Sequence, residues 1–153
     1  KEAGGTLPAL ATEPHDAVSA TMADLRNCRV LLVEDEPINQ EVTSLLLENV
    51  GIVVDIASDG IIAIEKAVET DYALILMDVS MPRMDGLEAT QRIRQLPDRA
   101  DTPIIAMTAN AFVEDKARCL AAGMNDFLTK PAKPEDLVSM LLRWVQPKAV
   151  VEV

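Results

Sequence analysis

A chain of 153 residues has room for one domain with a substantial core and little room for a second. Hydrophobic residues make up 49%, yet no apolar run approaches the roughly 18–20 residues of a membrane span and no secretory-type leader begins the chain, so a cytoplasmic location without membrane contact is expected. The net charge of −11 works against a polyanionic partner, which needs clustered Lys and Arg, and direct nucleic-acid binding is not expected.

Residues 1–27 are read as a linker or N-terminal arm, because Gly, Ala, Thr, Pro and charge mix there without a steady period. The single histidine, His15, falls in this arm outside any helical pattern and is read as a linker residue. The body of the domain is expected over 28–146. Val30 to Val33 form a short buried strand that ends on Glu34, Asp35 and Glu36. Pro37 suits the first position of a following helix whose predicted apolar face is Ile38, Val42, Leu45 and Leu46, with Gly51 as the stop. Ile52 to Ala57 make a second strand. Ser58-Asp59-Gly60 then caps a helix with Ile61, Ile64 and Val68 as its apolar face.

Ala73 to Met77 are continuously apolar and stop on Asp78, the pattern of a parallel strand covered on both faces. Asp85-Gly86 opens a third helix running to about Gln95, and Leu96 to Thr102 is a polar loop. Pro103 to Met107 form a fourth strand ending on Thr108. Val113 to Ala122 form a helix stopped by Gly123, and Asp126 to Leu128 a short strand running into Thr129, Lys130 and Pro131. Pro134 starts the last helix, with Leu137, Met140, Leu141 and Trp144 as core contacts, and 147–153 is a tail. Cys28 and Cys119 show neither metal-ligand spacing nor a disulfide framework and are read as small buried hydrophobes. Five strand–helix pairs with short connections imply an α/β fold, a doubly wound five-stranded parallel sheet.

In such a sheet all strands end at one edge, where open α/β folds bind ligands. Glu34, Asp35, Asp78, Thr108 and Lys130 are thereby gathered around one crevice. Taken singly, each has an ordinary explanation: an aspartate that begins a turn, an acidic surface loop, a threonine at a strand end, a Lys-Pro turn. Together they specify chemistry. Three carboxylates in one crevice repel each other unless a cation neutralises them. Mg²⁺, which takes octahedral oxygen ligands and keeps several waters, suits Asp35, Asp78 and the Ser80 carbonyl, with Glu34 acting through water; Mn²⁺ is the alternative. A carboxylate held beside a divalent cation and a fixed ammonium can accept a phosphoryl group, so Asp78 is the candidate nucleophile. Lys130 would pair with Asp78 or hold one phosphoryl oxygen, and Thr108 would donate to another.

From Arg29 to about Val145 the chain resembles the receiver domain of two-component response regulators. The resemblance rests on Glu34-Asp35, on Asp78 followed by Met81-Pro82 and Asp85-Gly86, on Thr108-Ala109, and on Phe127 with Lys130-Pro131. Thr108 lies 30 residues after Asp78, and Lys130 lies 22 after Thr108, as in that family. The runs Met84 to Thr90, Ile105 to Ala111 and Gly123 to Leu128 look like receivers attached to hybrid histidine kinases. The resemblance implies a flavodoxin-like (βα)5 fold and a phosphoacceptor signalling domain rather than an enzyme acting on an external substrate. It implies a histidine kinase or a histidine phosphotransfer domain as donor, tethering to a membrane sensor kinase in a longer protein, and Asp78 as acceptor. Ala109 joins Thr108 and Lys130 around the phosphoryl group, Thr108 and Phe127 form a switch pair, and the Lys130-Pro131 bond is cis. One departure is Glu34, where many receivers carry aspartate.

Other classes fit less well. An aspartate-nucleophile phosphatase of the haloacid dehalogenase type carries a second aspartate two residues after the first, where this chain has Ser80, which cannot protonate a leaving group. A flavin carrier would want phosphate-cradling Ser and Thr loops with flanking aromatics, and aromatics are only 3% here. A degenerate interaction module would not need the full set of Glu34, Asp35, Asp78, Thr108 and Lys130. Ser80 and Asn110, two residues beyond Asp78 and Thr108, are the positions that tune phosphoryl lifetime by this resemblance; neither is an anionic base, so slow self-dephosphorylation is expected.

Overall fold

The computed structural model describes residues 25–79, 86–108, 113–130 and 132–145, and for 113–115 the backbone alone. Its five strands are the short β-branched and leucine-rich runs: β1 (Arg29–Val33), β2 (Val53–Ala57), β3 (Leu74–Asp78), β4 (Ile104–Thr108) and β5 (Asp126–Thr129). Between and after them stand α1 (Pro37–Glu48), α2 (Gly60–Glu69), α3 (Gly86–Arg94), α4 (Val113–Ala122) and α5 (Pro134–Trp144). Every strand pair is parallel and the order is β2-β1-β3-β4-β5. The winding reverses between β1 and β3, so right-handed crossovers place helices on both faces and open a crevice at the carboxyl ends of those two strands.

Period-two alternation divides the apolar residues between two cores. Leu31, Val33, Ile75, Met77, Ile104 and Ala106 face Ala63 and Ala67 of α2, Ala89 and Ile93 of α3, and Cys119 of α4. Val30, Leu32, Leu74, Leu76, Ile105 and Met107 face Leu47 of α1 and Leu137 and Leu141 of α5. Leu25, just ahead of β1, is wholly buried in this second core, and the Asn27 amide donates to the Gly51 carbonyl at 2.8 Å. Cys119 is buried and Cys28 half-buried.

The helix ends follow local chemistry. Asp59 caps α2 by accepting from the Ile62 amide at 2.9 Å. At α1 the cap is Glu36, whose carboxylate accepts from the amides of Ile38 and Asn39 at 2.9 and 3.0 Å, ahead of Pro37 at the first helical position. Gly123 ends α4 at φ +110, where a residue with a Cβ would be strained.

Two predicted helix faces are corrected. Ile38, Val42 and Leu45 of α1 are 68%, 50% and 53% exposed, and the residues turned inward are Thr43, Ser44 and Leu47, with Leu46 half-buried. In α2, Ile61 and Val68 are exposed and Ile64 packs half-buried on the core as expected, while Gly60, Ala63 and Ala67 are buried. Small side chains face the sheet and let the helix backbone approach it closely. The larger aliphatics are left on the outer side, and hydropathy periodicity alone points to the wrong stripe. The face of α5 matches its pattern: Leu137 and Leu141 are buried, and Met140 and Trp144 pack half-buried beside them. Among the described residues no helix is long and apolar enough to cross a membrane.

Candidate functional site

Register builds the site. Val33 of β1 is paired with Met77 of β3, so the next residues, Glu34 and Asp78, stand side by side at the open edge. Asp78 is paired with Met107 and Thr108 with Thr129, which brings Thr108 and Lys130 to the same edge. The Lys130 amide continues the ladder by donating to the Thr108 carbonyl at 2.7 Å. Glu34, Asp35 and Asp78 each present a carboxylate oxygen, all within 4.8 Å of one another. Glu34 and Asp78 are buried while Asp35 is exposed, so the group has a dry floor and a wet mouth.

The Lys130 ammonium donates to Glu34 Oε1 and to Asp78 Oδ2, at 3.2 Å in each case. Burial works to lower the Lys130 pKa, but the charges of Asp78 and Glu34 and the hydrogen bonds to them outweigh it and hold the pKa above its ordinary value. The second oxygen of Glu34 accepts from the Glu36 amide at 3.1 Å, and its carbonyl accepts from the Gln40 side-chain amide at 2.6 Å. The acidic turn is thus fastened to α1. Below Asp78, Gly86 donates to the Val79 carbonyl at 3.0 Å. A Cβ on Gly86 would collide with the Asp78 carbonyl oxygen and the Met77 side chain, so this position admits only glycine if α3 is to start against the strand end.

Among the described residues one lysine stands against three carboxylates, an anionic set. Its donor set is all hard oxygen, which suits a divalent cation of the Mg²⁺ class. Of the residues singled out in the sequence, Glu34, Asp35, Asp78 and Lys130 converge directly. Thr108 ends the adjoining strand, and Phe127, paired with Ala106, lies on the sheet face covered by α2, α3 and α4. Ser80, Ala109, Asn110 and Pro131, with Met81 to Asp85, the arm up to residue 24 and the tail from 146, lie outside the described residues. Two contacts were not anticipated. Lys130 is shared with Glu34 as well as Asp78, which the placing of a buried acid in a crevice with one lysine could have signalled. The Gln40 bond has no sequence signal, since an amide in a helix is ordinarily solvated.

A family model for the response regulator receiver domain matches residues 30–142. The chain is 43% identical over 115 residues to the signal transduction histidine-protein kinase BarA of Escherichia coli K12, a match that takes in 75% of this chain and 12% of that protein. The receiver domain of a sensor histidine kinase from Pseudomonas aeruginosa PAO1, solved with magnesium coordinated in its active-site cleft, is 45% identical with a TM-score of 0.73. That likeness covers 77% of this chain and 97% of that one. A Saccharomyces cerevisiae response regulator receiver domain, solved in complex with a histidine phosphotransfer signalling protein, is 31% identical with a TM-score of 0.71. It covers 78% of this chain and 90% of its own.

Proposed function

Since this chain belongs to the response regulator receiver domain family, we propose that Asp78 is its phosphoacceptor and draws a phosphoryl group from a phosphohistidine of a histidine kinase or a histidine phosphotransfer protein. The observation that carries this is the Lys130 ammonium shared at 3.2 Å between Asp78 and Glu34, beside Asp35, at the reversal point of the sheet. The receiver unit is assigned to 28–146, flanked by an arm and a tail, in the cytoplasm.

A carboxylate oxygen of Asp78 attacks phosphorus, the P–N bond of the phosphohistidine breaks, and its electron pair returns to the imidazole. Lys130 pairs with Asp78 beforehand and then follows the transferred oxygens, replacing a carboxylate partner with a phosphoryl one. Thr108 and the segment at Ala109 supply further donors. Glu34, Asp35, Asp78 and the Ser80 carbonyl would hold Mg²⁺ or Mn²⁺, which supplies the positive charge that neutralises the acids and the incoming phosphoryl oxygens. With Ser80 and Asn110 offering no anionic base, the acyl phosphate decays slowly. Drawing the Thr108 hydroxyl toward the phosphoryl group frees space beside β4, and the Phe127 ring moves in to fill it.

The exposed α1 stripe has a place in this reading. Ile38 stands in the first turn after the acidic loop, and Val42 and Leu45 continue along the same face, so the apolar row starts at the rim of the crevice. A donor that carries its histidine on a helix can lie along that row and bring the imidazole over Asp78. The test is transfer from a phosphorylated histidine phosphotransfer protein, and from acetyl phosphate, with Mg²⁺. Wild type should gain one acid- and hydroxylamine-sensitive phosphoryl group and Asp78→Asn none; equal labelling of Asp78→Asn would overturn the assignment. Ile38→Ser with Leu45→Ser should slow only the protein donor.

A further inference from the structure

The Lys116 ammonium lies over the ring of Phe127, 4.5 Å from its centroid, bridging α4 and β5. Lys116 is the fourth residue of α4, near the helix end whose dipole is positive, so the helix itself disfavours an ammonium there. The ring face is the compensating partner. Phe127 is half-buried against the core, and its register partner on β4 is Ala106, a small residue. One face of the ring is therefore covered by a cation, and its neighbour across the ladder is the small Ala106.

We propose that Lys116 is a positioning residue that holds Phe127 outward in the unphosphorylated protein and so sets the threshold of the switch. This inference rests on the Thr108/Phe127 switch described above. When the ring moves inward, Lys116 loses its face contact and its charge is returned to the surface of α4. One side chain thereby ties the ring position to the charge shown on α4.

The chain has two phenylalanines, Phe112 and Phe127, so 4-fluorophenylalanine labelling gives two ¹⁹F lines, assigned with Phe112→Leu. The probe is beryllofluoride with Mg²⁺, a stable stand-in for the acyl phosphate. In wild type the Phe127 line should move on titration. Lys116→Met keeps the length of the stem and removes the charge; it should shift the ligand-free Phe127 line toward the bound position and lower the beryllofluoride midpoint by about two- to five-fold. Lys116→Arg, which also stacks on aromatic faces, should restore both readouts.

If the wild-type line responds and Lys116→Met matches wild type in both readouts, the latch is wrong and the switch stands. If Lys116→Arg behaves as Lys116→Met does, the charge over the ring is not what holds it, and the proposal is overturned. If beryllofluoride binds but leaves the wild-type Phe127 line in place, the switch itself has failed and the latch falls with it.

Discussion

The two edges of the sheet handle charge in opposite ways. At the amino edge, Arg94 at the end of α3 donates to the carbonyls of Gly123, Arg99 and Thr102 and to the Asn125 side chain, at 2.9, 3.0, 2.7 and 2.7 Å. Asn125 in turn accepts from the Ile104 amide at 2.8 Å, and Tyr72 donates to Asp55, which also pairs with Arg29. The Trp144 indole reaches Asp126 at 2.9 Å. These groups are satisfied by fixed partners. At the carboxyl edge three carboxylates meet one lysine among the described residues, an excess of negative charge that suits a cation. One edge is built for stability and the other for a visitor.

The comparison breaks most sharply at Asp78. Asp78→Asn should abolish phosphoryl labelling, yet leave the unfolding free energy equal to wild type or higher by up to about 1 kcal/mol, because it removes a like-charge repulsion. Urea unfolding alongside the labelling assay tests both halves, and a large loss of stability would show that the acidic edge is structural.

Arg94→Met should do the reverse. Removing a half-buried guanidinium leaves several acceptors without their donor, for a loss of about 2–4 kcal/mol in urea unfolding, while labelling of the folded protein stays near wild type. Next in size is Lys130→Met, which takes the ammonium away from Glu34 and Asp78. In chelator at neutral pH it should cost about 1–3 kcal/mol and also suppress phosphorylation. The pKa of Lys130 is raised in the fold. Its contribution is therefore fully present below the ordinary lysine value and fades only as pH rises through the raised one, so wild type and variant should differ across neutral pH and converge in strong alkali.

The smallest effect belongs to the amino edge. Burial first, then the hydrogen bond to Asp55 and the charge of Asp55, push the Tyr72 pKa up to about 12. A raised pKa means that this group stabilises the fold below its ordinary value near 10 and that the contribution is lost as pH climbs from about 10 to about 12. Tyr72 is the single tyrosine, so ultraviolet titration reads it directly. Asp55→Asn should bring its ionisation down toward 10 at a stability cost of about 1 kcal/mol; an unchanged titration would place the perturbation elsewhere.

The same contrast explains what the sequence disclosed. Strands covered on both faces leave continuous apolar runs, and their last residues must share an edge, so Glu34, Asp35, Asp78, Thr108 and Lys130 could be grouped before any coordinates. Faces of helices were less legible. Ile38, Val42 and Leu45 recur at the helical interval because they form an outer stripe, while Thr43, Ser44 and Leu47 pack inward, and hydropathy cannot tell an exposed stripe from one that faces the core. The amino-edge network was not visible either. Arg94 and Asn125 look like solvated residues until the fold brings a helix end and two loops to one guanidinium.

That guanidinium also bears on the helix that carries Lys116. Through the Gly123 carbonyl and Asn125, Arg94 pins the far end of α4, while the near end lies toward the crevice. A helix fixed at one end and pushed at the other is a lever, and under the proposed switch a small push at Phe127 would be delivered as an arc about Gly123 rather than as a uniform slide. Displacement is then greatest at the crevice end and vanishes at the hinge. A molecule that reads the state of the domain gains most by gripping α4 near Lys116, and one that grips it beside Ala122 would feel almost nothing.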